Sequence, residues 1–205
     1  MITYIFGASH IDNYTYLEKI DFSNSFIICA DGGIKHIRKL GLAPDVIIGD
    51  FDSSEEPEDF RNKIVYPREK DDTDLGLAIN YAAEHGLKNC IAIGCLGGRI
   101  DHTYANFSLI KFALDKGIKL ELIDEKSCVF PVCDSCEIIK EDYKYISVFS
   151  FGESATGVSL DGFKYPLVNA ELKYDFPLGV SNQLVSAIGK IKVKSGVLLV
   201  MMVKE

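Results

Sequence analysis

Residues 73–123 read TDLGLAINYAAEHGLKNCIAIGCLGGRIDHTYANFSLIKFALDKGIKLELI, and this stretch decides the fold. Two segments of helical length, Asp74–His85 and Thr103–Lys116, alternate with two short apolar runs, Cys90–Gly94 and Lys119–Ile123. Thr73 stands where an N-cap belongs, Asp74 lies in the first turn, and Gly86 follows the helix end. Lys116-Gly117 repeats the stop signal. Helix, strand, helix, strand is the signature of βαβ units and a parallel sheet.

Upstream, the same text continues. Ile2–Phe6, Phe26–Ala30, Val46–Ile48 and Ile64–Tyr66 read as strands, and Lys35–Leu40 as a helix. Residues 1–123 are therefore expected to form an α/β domain with a mostly parallel sheet covered on both faces. Beyond Asp124 helical periodicity fades. Short runs rich in Val, Ile, Tyr and Phe follow at Tyr145–Phe151, Gly157–Leu160, Leu172–Tyr174, Gly189–Val193 and Val197–Val203. Residues 124–205 thus read as an all-β domain, an antiparallel sandwich or barrel. Lys192–Val197 looks like a hairpin turn between the last two strands. There is no internal repeat and no low-complexity linker.

Composition narrows the function classes. Of 205 residues, 47% are hydrophobic, enough for a substantial core, and the formal net charge is −8. No basic stretch is dense enough to follow a nucleic-acid backbone, so neither nucleic acid nor an anionic membrane surface is an expected partner. No signal peptide or membrane-spanning run is read, which makes the expected compartment the cytoplasm. The cysteines, Cys29, Cys90, Cys95, Cys128, Cys133 and Cys136, are expected as reduced thiols. Cys133-x-x-Cys136 has metal-ligand spacing, but a structural zinc site usually needs a second pair or histidines, and all four histidines lie upstream.

Four polar clusters follow predicted strands. They are Asp31-Gly32-Gly33, Gly49-Asp50-Phe51-Asp52-Ser53, Lys70-Asp71-Asp72-Thr73-Asp74 and Gly97-Gly98-Arg99-Ile100-Asp101-His102, with Asn106 one turn further on. Ligands of open α/β sheets bind beyond the carboxyl ends of the strands, so the four are expected to share one cleft. Carboxylates gathered there repel one another unless a cation joins them. A hard divalent cation such as Mg²⁺, carrying a phosphate, suits Asp50, Asp52, Asp71 and Asp74. Glycines at a helix N-terminus admit phosphate to backbone N–H groups, and Arg99 and Lys70 add positive charge. Each cluster also has a plainer reading as a turn or helix cap. In the second domain, Ser159–Leu167 and Gly179–Asn182 are polar and aromatic loops. Ser181 and Asn182 could hydrogen-bond a heterocycle, and Phe163 and Tyr165 could stack on one. Taken alone, ordinary turn chemistry is the favoured reading of these loops.

In order and type, Asp31-Gly32-Gly33, Asp45 with Gly49–Ser53, Lys70-Asp71-x-Thr73-Asp74, Gly97-Gly98-Arg99-x-Asp101-His102 and Ser181-Asn182 resemble the thiamin pyrophosphokinase family. The resemblance runs from about residue 25 to the chain end. It implies an α/β domain that binds ATP and Mg²⁺, a β-sandwich domain that helps bind thiamin, and a homodimer with thiamin at the subunit interface. It further implies transfer of an intact diphosphate from ATP to thiamin, with release of AMP. On this resemblance Asp50, Asp52, Asp71 and Asp74 hold the metal, and Asp71 or Asp74 takes the hydroxyl proton. Lys70 and Arg99 offset the transferred charge. Asp31, Gly32, Gly33, Ser53, Thr73, Gly97, Gly98, Asp101, His102 and Asn106 shape the nucleotide site, and Ser181 and Asn182 contact thiamin. Asp72, at the variable position, inherits no role. Some members place a tryptophan near thiamin, and this chain has none.

Two rival readings share these residues. A haloacid-dehalogenase-type phosphatase also uses a strand-end Asp-x-Asp, but wants Thr or Val where Ser54 stands. A non-catalytic nucleotide or thiamin sensor would bind and form no product.

Overall fold

Strand β1 (Ile2–Phe6) is the axis of the N-terminal half, pairing in parallel with β2 (Ser25–Ala30) on one side and β5 (Asn89–Ile93) on the other. A computed structural model of the protein describes residues 1–49, 62–65 and 72–205. These fall into two units, Met1–Glu125 and Lys126–Glu205. In the first, β3 (Val46–Gly49), β4 (Lys63–Val65) and β6 (Lys119–Ile123) complete the parallel order β4-β3-β2-β1-β5-β6. Ile5, Phe6, Ile28, Ile47, Ile48 and Ile93 are fully buried. Continuous apolar strands of this kind suit a sheet covered on both faces.

The helices are α1 (Ile34–Leu40), α2 (Asp74–Glu84) and α3 (Ile100–Asp115). Thr73 caps α2, its hydroxyl accepting from the Gly76 N–H at 3.1 Å. Helix α3 begins at Ile100, three residues earlier than the apolar pattern predicts. Asp101 and His102 are therefore in its first turn. The strand order reverses between β1 and β5, so the chain leaves these two neighbours in opposite directions and opens a crevice at their carboxyl ends.

The second unit consists of β7 (Ser127–Val132), β8 (Ser135–Ile139), β9 (Tyr145–Ser150), β10 (Ala155–Asp161), β11 (Leu167–Leu172), β12 (Ile188–Lys192) and β13 (Leu198–Val203). Its antiparallel ladders are β7-β13-β9 and β11-β10-β12-β8. Val148, Leu198 and Val200 from the first share one core with Val158, Leu160 and Ile191 from the second.

Three sequence expectations differ here. Strands β7 and β8 are not legible as strands, because Pro131 interrupts one and Cys, Asp and Ser separate them. Cys133-Asp134 is the corner between them, where the chain crosses from one ladder to the other. No two of the six cysteines are joined in a disulfide. Of the Leu172–Tyr174 run only Leu172 is in a strand, as the last residue of β11, which starts after Pro166; Tyr174 lies in the turn beyond it. Lys192–Val197 is not a hairpin, because β12 and β13 belong to different ladders. Its residues pair with β10 instead: Thr156 N–H donates to the Ser195 carbonyl at 2.9 Å, and Lys194 N–H returns to the Thr156 carbonyl at 3.0 Å. That pairing carries the chain across to the other ladder.

Candidate active site

A cleft of about 710 Å³ lies at the β1/β5 crevice. Gly7, Ala8 and Ser9 enter it after β1, Ala30 and Asp31 at the end of β2, and Gly94 and Cys95 after β5. The first turn of α2 contributes Asp72, Thr73 and Asp74. The α3 entry contributes Gly97, Gly98, Arg99, Asp101, His102 and Asn106. Three of the four expected clusters thus meet in one place. Asp50, Asp52 and Ser53, and Lys70 with Asp71, lie outside the described residues. Gly49, immediately before the first of these, is beside Asp31: a Cβ on Gly49 would sit 2.9 Å from that of Asp31.

Asp31 is buried and holds a left-handed backbone, φ 38°. Only a non-glycine residue constrained by its surroundings keeps such a conformation, and these cluster at functional sites. Gly32 and Gly33 form the following turn but do not line the cleft. A Cβ on Gly33 would stand 2.0 Å from the Phe6 carbonyl oxygen, so this turn packs directly beneath β1. Asp45 accepts the Ile27 N–H at 2.7 Å and secures the start of β3 to β2.

The α3 entry is a polar loop with open space around it. Gly97 and Gly98 have φ 77° and 68°, and nothing lies within 4 Å of a Cβ built on either. Positive φ, not crowding, is what these positions require. The Arg99 Nε and Nη2 donate to Asp101 at 3.1 and 2.6 Å. That bond holds the Asp101 carboxyl down at about 2, and it raises the Arg99 guanidinium. Asp101 also accepts the His102 N–H at 3.0 Å. The Asn106 amide donates to the Cys95 carbonyl at 2.7 Å, so Asn106 ties the loop after β5 to α3. Burial pushes the Cys95 thiol up to about 12, which keeps it protonated.

Asp72 has a structural part that its variable position concealed. Its carboxylate accepts from Thr73 N–H and from the Asn80 amide, both at 2.9 Å, and so fixes the start of α2. Gly7, Ala8 and Ser9 were not singled out from the sequence. Their one signal is a glycine directly after an apolar strand, and small uncharged residues carry no other.

In the second unit Ser181 is left-handed, φ 56°, and its N–H donates to the Ser147 hydroxyl at 2.9 Å. Asn182 is buried. Its side chain accepts from Tyr165 N–H at 3.0 Å and donates to the Tyr165 carbonyl at 2.8 Å. Asn182 therefore clamps the Phe163–Tyr165 loop, with Phe163 buried and Tyr165 exposed.

The described lining carries Asp31, Asp72, Asp74 and Asp101 against Arg99. A phosphate would enter such a cleft only with added positive charge. Carboxylate oxygens at strand and helix ends suit Mg²⁺, which takes one or two and completes its shell with phosphate and water. No group of three acidic, histidine or cysteine side chains placed to hold a metal ion occurs among the described residues. Three of the four expected ligands lie outside them.

A family model described as thiamin pyrophosphokinase, catalytic domain, matches residues 17–122. A second, thiamin pyrophosphokinase, vitamin B1 binding domain, matches residues 135–198. The chain is also similar to a thiamine pyrophosphokinase of Bacillus subtilis (strain 168), 34% identical over 182 residues and 84% of each chain. This chain belongs to the thiamin pyrophosphokinase family. Among solved structures of that family, one from Bacillus subtilis superposes with TM-score 0.87 at 30% identity, covering 100% of this chain and 99% of that one. The yeast thiamin pyrophosphokinase, at 15% identity and TM-score 0.73, covers 98% and 85% and shares the fold. The family assignment makes the protein an enzyme. Neither the phosphatase reading nor the sensor reading has support in these matches.

Proposed function

We propose that the protein transfers diphosphate from Mg-ATP to the hydroxyethyl group of thiamin, giving thiamin diphosphate and AMP. The observation that carries this reading is the crevice at the β1/β5 reversal, where Asp31, Asp74 and the Gly97-Gly98-Arg99 entry of α3 line one cleft. Residues 1–123 would act on the nucleotide, and residues 124–205, built as a β-sandwich, would help bind thiamin.

The thiamin hydroxyl oxygen bonds to the β-phosphorus, the bond from that phosphorus to the AMP oxygen breaks, and AMP leaves with the electron pair. Such transfers depend chiefly on positioning and charge neutralisation. Backbone N–H groups of Gly97 and Gly98 and the α3 N-terminus would take phosphate oxygens. The Asp101 bonds fix the plane of the Arg99 guanidinium, whose remaining N–H groups would meet the transferred phosphates. Lys70 would add a second cation. Asp71 or Asp74 would accept the hydroxyl proton. Mg²⁺, held by Asp50, Asp52, Asp71 and Asp74, would supply neutralisation of the phosphate charge. Asp31 and Asp101 would shape the nucleotide site, and Ser181 would contact thiamin, with Asn182 holding the adjacent loop.

We further read the working form as a cytoplasmic homodimer. No helix among the described residues is long and apolar enough to cross a membrane. Tyr174, Phe176, Leu178 and Val180 expose large apolar side chains on one short segment, as a subunit contact would need.

The test is incubation with Mg-ATP and thiamin. The expected products are AMP and thiamin diphosphate in equal amounts, with no AMP when thiamin is omitted. Release of ADP instead would mean single phosphoryl transfer and overturn the reaction type.

A further inference from the structure

His36 lies outside every motif above, yet it touches both walls of the cleft. It is almost fully buried on α1, three residues after the Asp31-Gly32-Gly33 turn. Its Nε2 is 2.8 Å from the Ser9 carbonyl oxygen, and its Nδ1 is 2.5 Å from the Tyr14 hydroxyl. A carbonyl only accepts, so Nε2 carries the hydrogen. Burial lowers the imidazole to about 4, so at neutral pH it is uncharged. Nδ1 is then the acceptor and the Tyr14 O–H donates to it. One tautomer is thus dictated by the partners.

The ring also packs against the opposite wall. A Cβ on Gly94 would lie 3.2 Å from the His36 Cδ2 and Nε2. Gly94 and Ser9 both line the cleft, and the Ser9 N–H donates to the Gly94 carbonyl at 2.8 Å. Next along α1, Lys35 Nζ donates to the Ala8 carbonyl at 2.5 Å. Helix α1 therefore grips the Gly7–Ser9 loop by two carbonyls at the point where the β1 and β5 loops part.

We propose that His36 is a positioning residue for the nucleotide: its neutral Nε2–H tautomer holds the Gly7–Ser9 loop against Gly94 and sets the width of the cleft where ATP binds. This rests on the reading of the cleft as the ATP site. A loop fixed before binding spares the substrate the cost of ordering it, so the effect belongs in affinity. The bond to Ser9 is the one that matters: its carbonyl selects the tautomer, and the Tyr14 hydroxyl steadies the ring through Nδ1.

Two substitutions separate these bonds. His36→Gln places an amide nitrogen near the Nε2 position and can keep the Ser9 bond; His36→Asn places its amide near Nδ1 and cannot. Mg-ATP affinity of the unsubstituted protein is measured first, by calorimetry without thiamin. Absence of binding there overturns the reading of the cleft itself. Given binding, His36→Asn is expected to raise KM for ATP about five- to tenfold, the effect of one hydrogen bond, with kcat within about twofold. His36→Gln should restore KM. Tyr14→Phe, which leaves the Ser9 bond but removes the donor that steadies the ring at Nδ1, should raise KM about threefold. The proposal is overturned if His36→Asn leaves KM unchanged, if Asn and Gln behave alike, or if kcat falls while KM holds. Should His36→Asn fail to fold, the expected pair is Gln like the parent and Tyr14→Phe weakened, and any other result overturns it.

Discussion

Asp72, which inherits no role from the family resemblance, positions a residue that we propose for the chemistry. Its two hydrogen bonds seat the first turn of α2, the turn that carries Asp74 into the cleft. Gly76 is part of the same fitting, since a Cβ there would stand 1.9 Å from the Asp72 Oδ1. Gly76→Ala is therefore expected to destabilise by about 1–2 kcal/mol, through displacement of a bonded carboxylate. In an Asp72→Ala background the same change should be neutral or stabilising, because alanine is the better helix former by about 1 kcal/mol. A double-mutant cycle by thermal or denaturant unfolding reads the sign reversal directly. Asp71→Asn tests the chemistry beside it. Turnover should fall by about 10²–10⁴-fold with the unfolding midpoint unchanged, and near-normal activity would remove Asp71 from the mechanism.

His36 also gives a residue-scale pH dependence. Its folded pKa of about 4 lies below the ordinary value of 6.5, with Lys35, His10 and Lys39 adding repulsion to the burial that causes it. Between these values the unfolded chain binds a proton that the folded chain refuses. Stability is then full above about pH 6.5 and falls as pH drops toward 4, by up to about 3 kcal/mol. Denaturant titrations at pH 7.5 and 5 should differ in that direction, and His36→Gln should flatten the difference.

At the scale of the element, the α3 entry is the most exposed part of the cleft. Gly97 and Gly98 stand in open space at positive φ, so a side chain there meets no obstacle except its own backbone. Gly98→Val should cost about 1–3 kcal/mol of local strain, relieved by moving the loop. The expected reading is a rise in KM for ATP larger than the loss of overall stability would explain. Arg99 and Asp101 remain an ion pair well into acid, because the guanidinium holds the carboxyl at about 2. Loss of activity between pH 7 and pH 5 is therefore not expected to come from that pair.

These elements also show what a linear reading can and cannot reach. Helix α2 was legible to its cap, because Thr73, Asp74 and Gly86 are local signals that act on neighbouring residues. Helix α3 starts three residues before its apolar pattern does, because Ile100 is exposed and adds nothing to an inward stripe. Strands β7 and β8 escaped notice because a proline and a polar corner break the pattern that their partners β13 and β12 complete. The Lys192–Val197 turn misled for a related reason. Turn chemistry marks where a chain bends, and pairing partners distant in sequence decide where it goes.

For the whole molecule, the described lining residues set four aspartates against one arginine, a balance that favours added cation when a nucleotide binds. Removal of divalent metal with EDTA should abolish turnover, and Mg²⁺ in excess should restore it while leaving the fold intact. If full activity persisted in metal-free buffer, the assignment of Asp50, Asp52, Asp71 and Asp74 as ligands would fall.

Local sequence is enough to establish the α/β-then-β order, the clusters at the strand ends and their likeness to one family. Each of those is written in residues that act on their immediate neighbours or recur in fixed order. Long-range packing brings Gly7–Ser9 into one cleft with Gly97–Arg99 at the β1/β5 reversal, makes Asn182 and Asn106 hold loops, and lets a buried neutral His36 join the two walls. Those facts depend on contacts between segments tens of residues apart, such as Ser9 and His36, which are 27 positions apart. No local pattern records such a distance, because it is set by which strand lies beside which in the sheet.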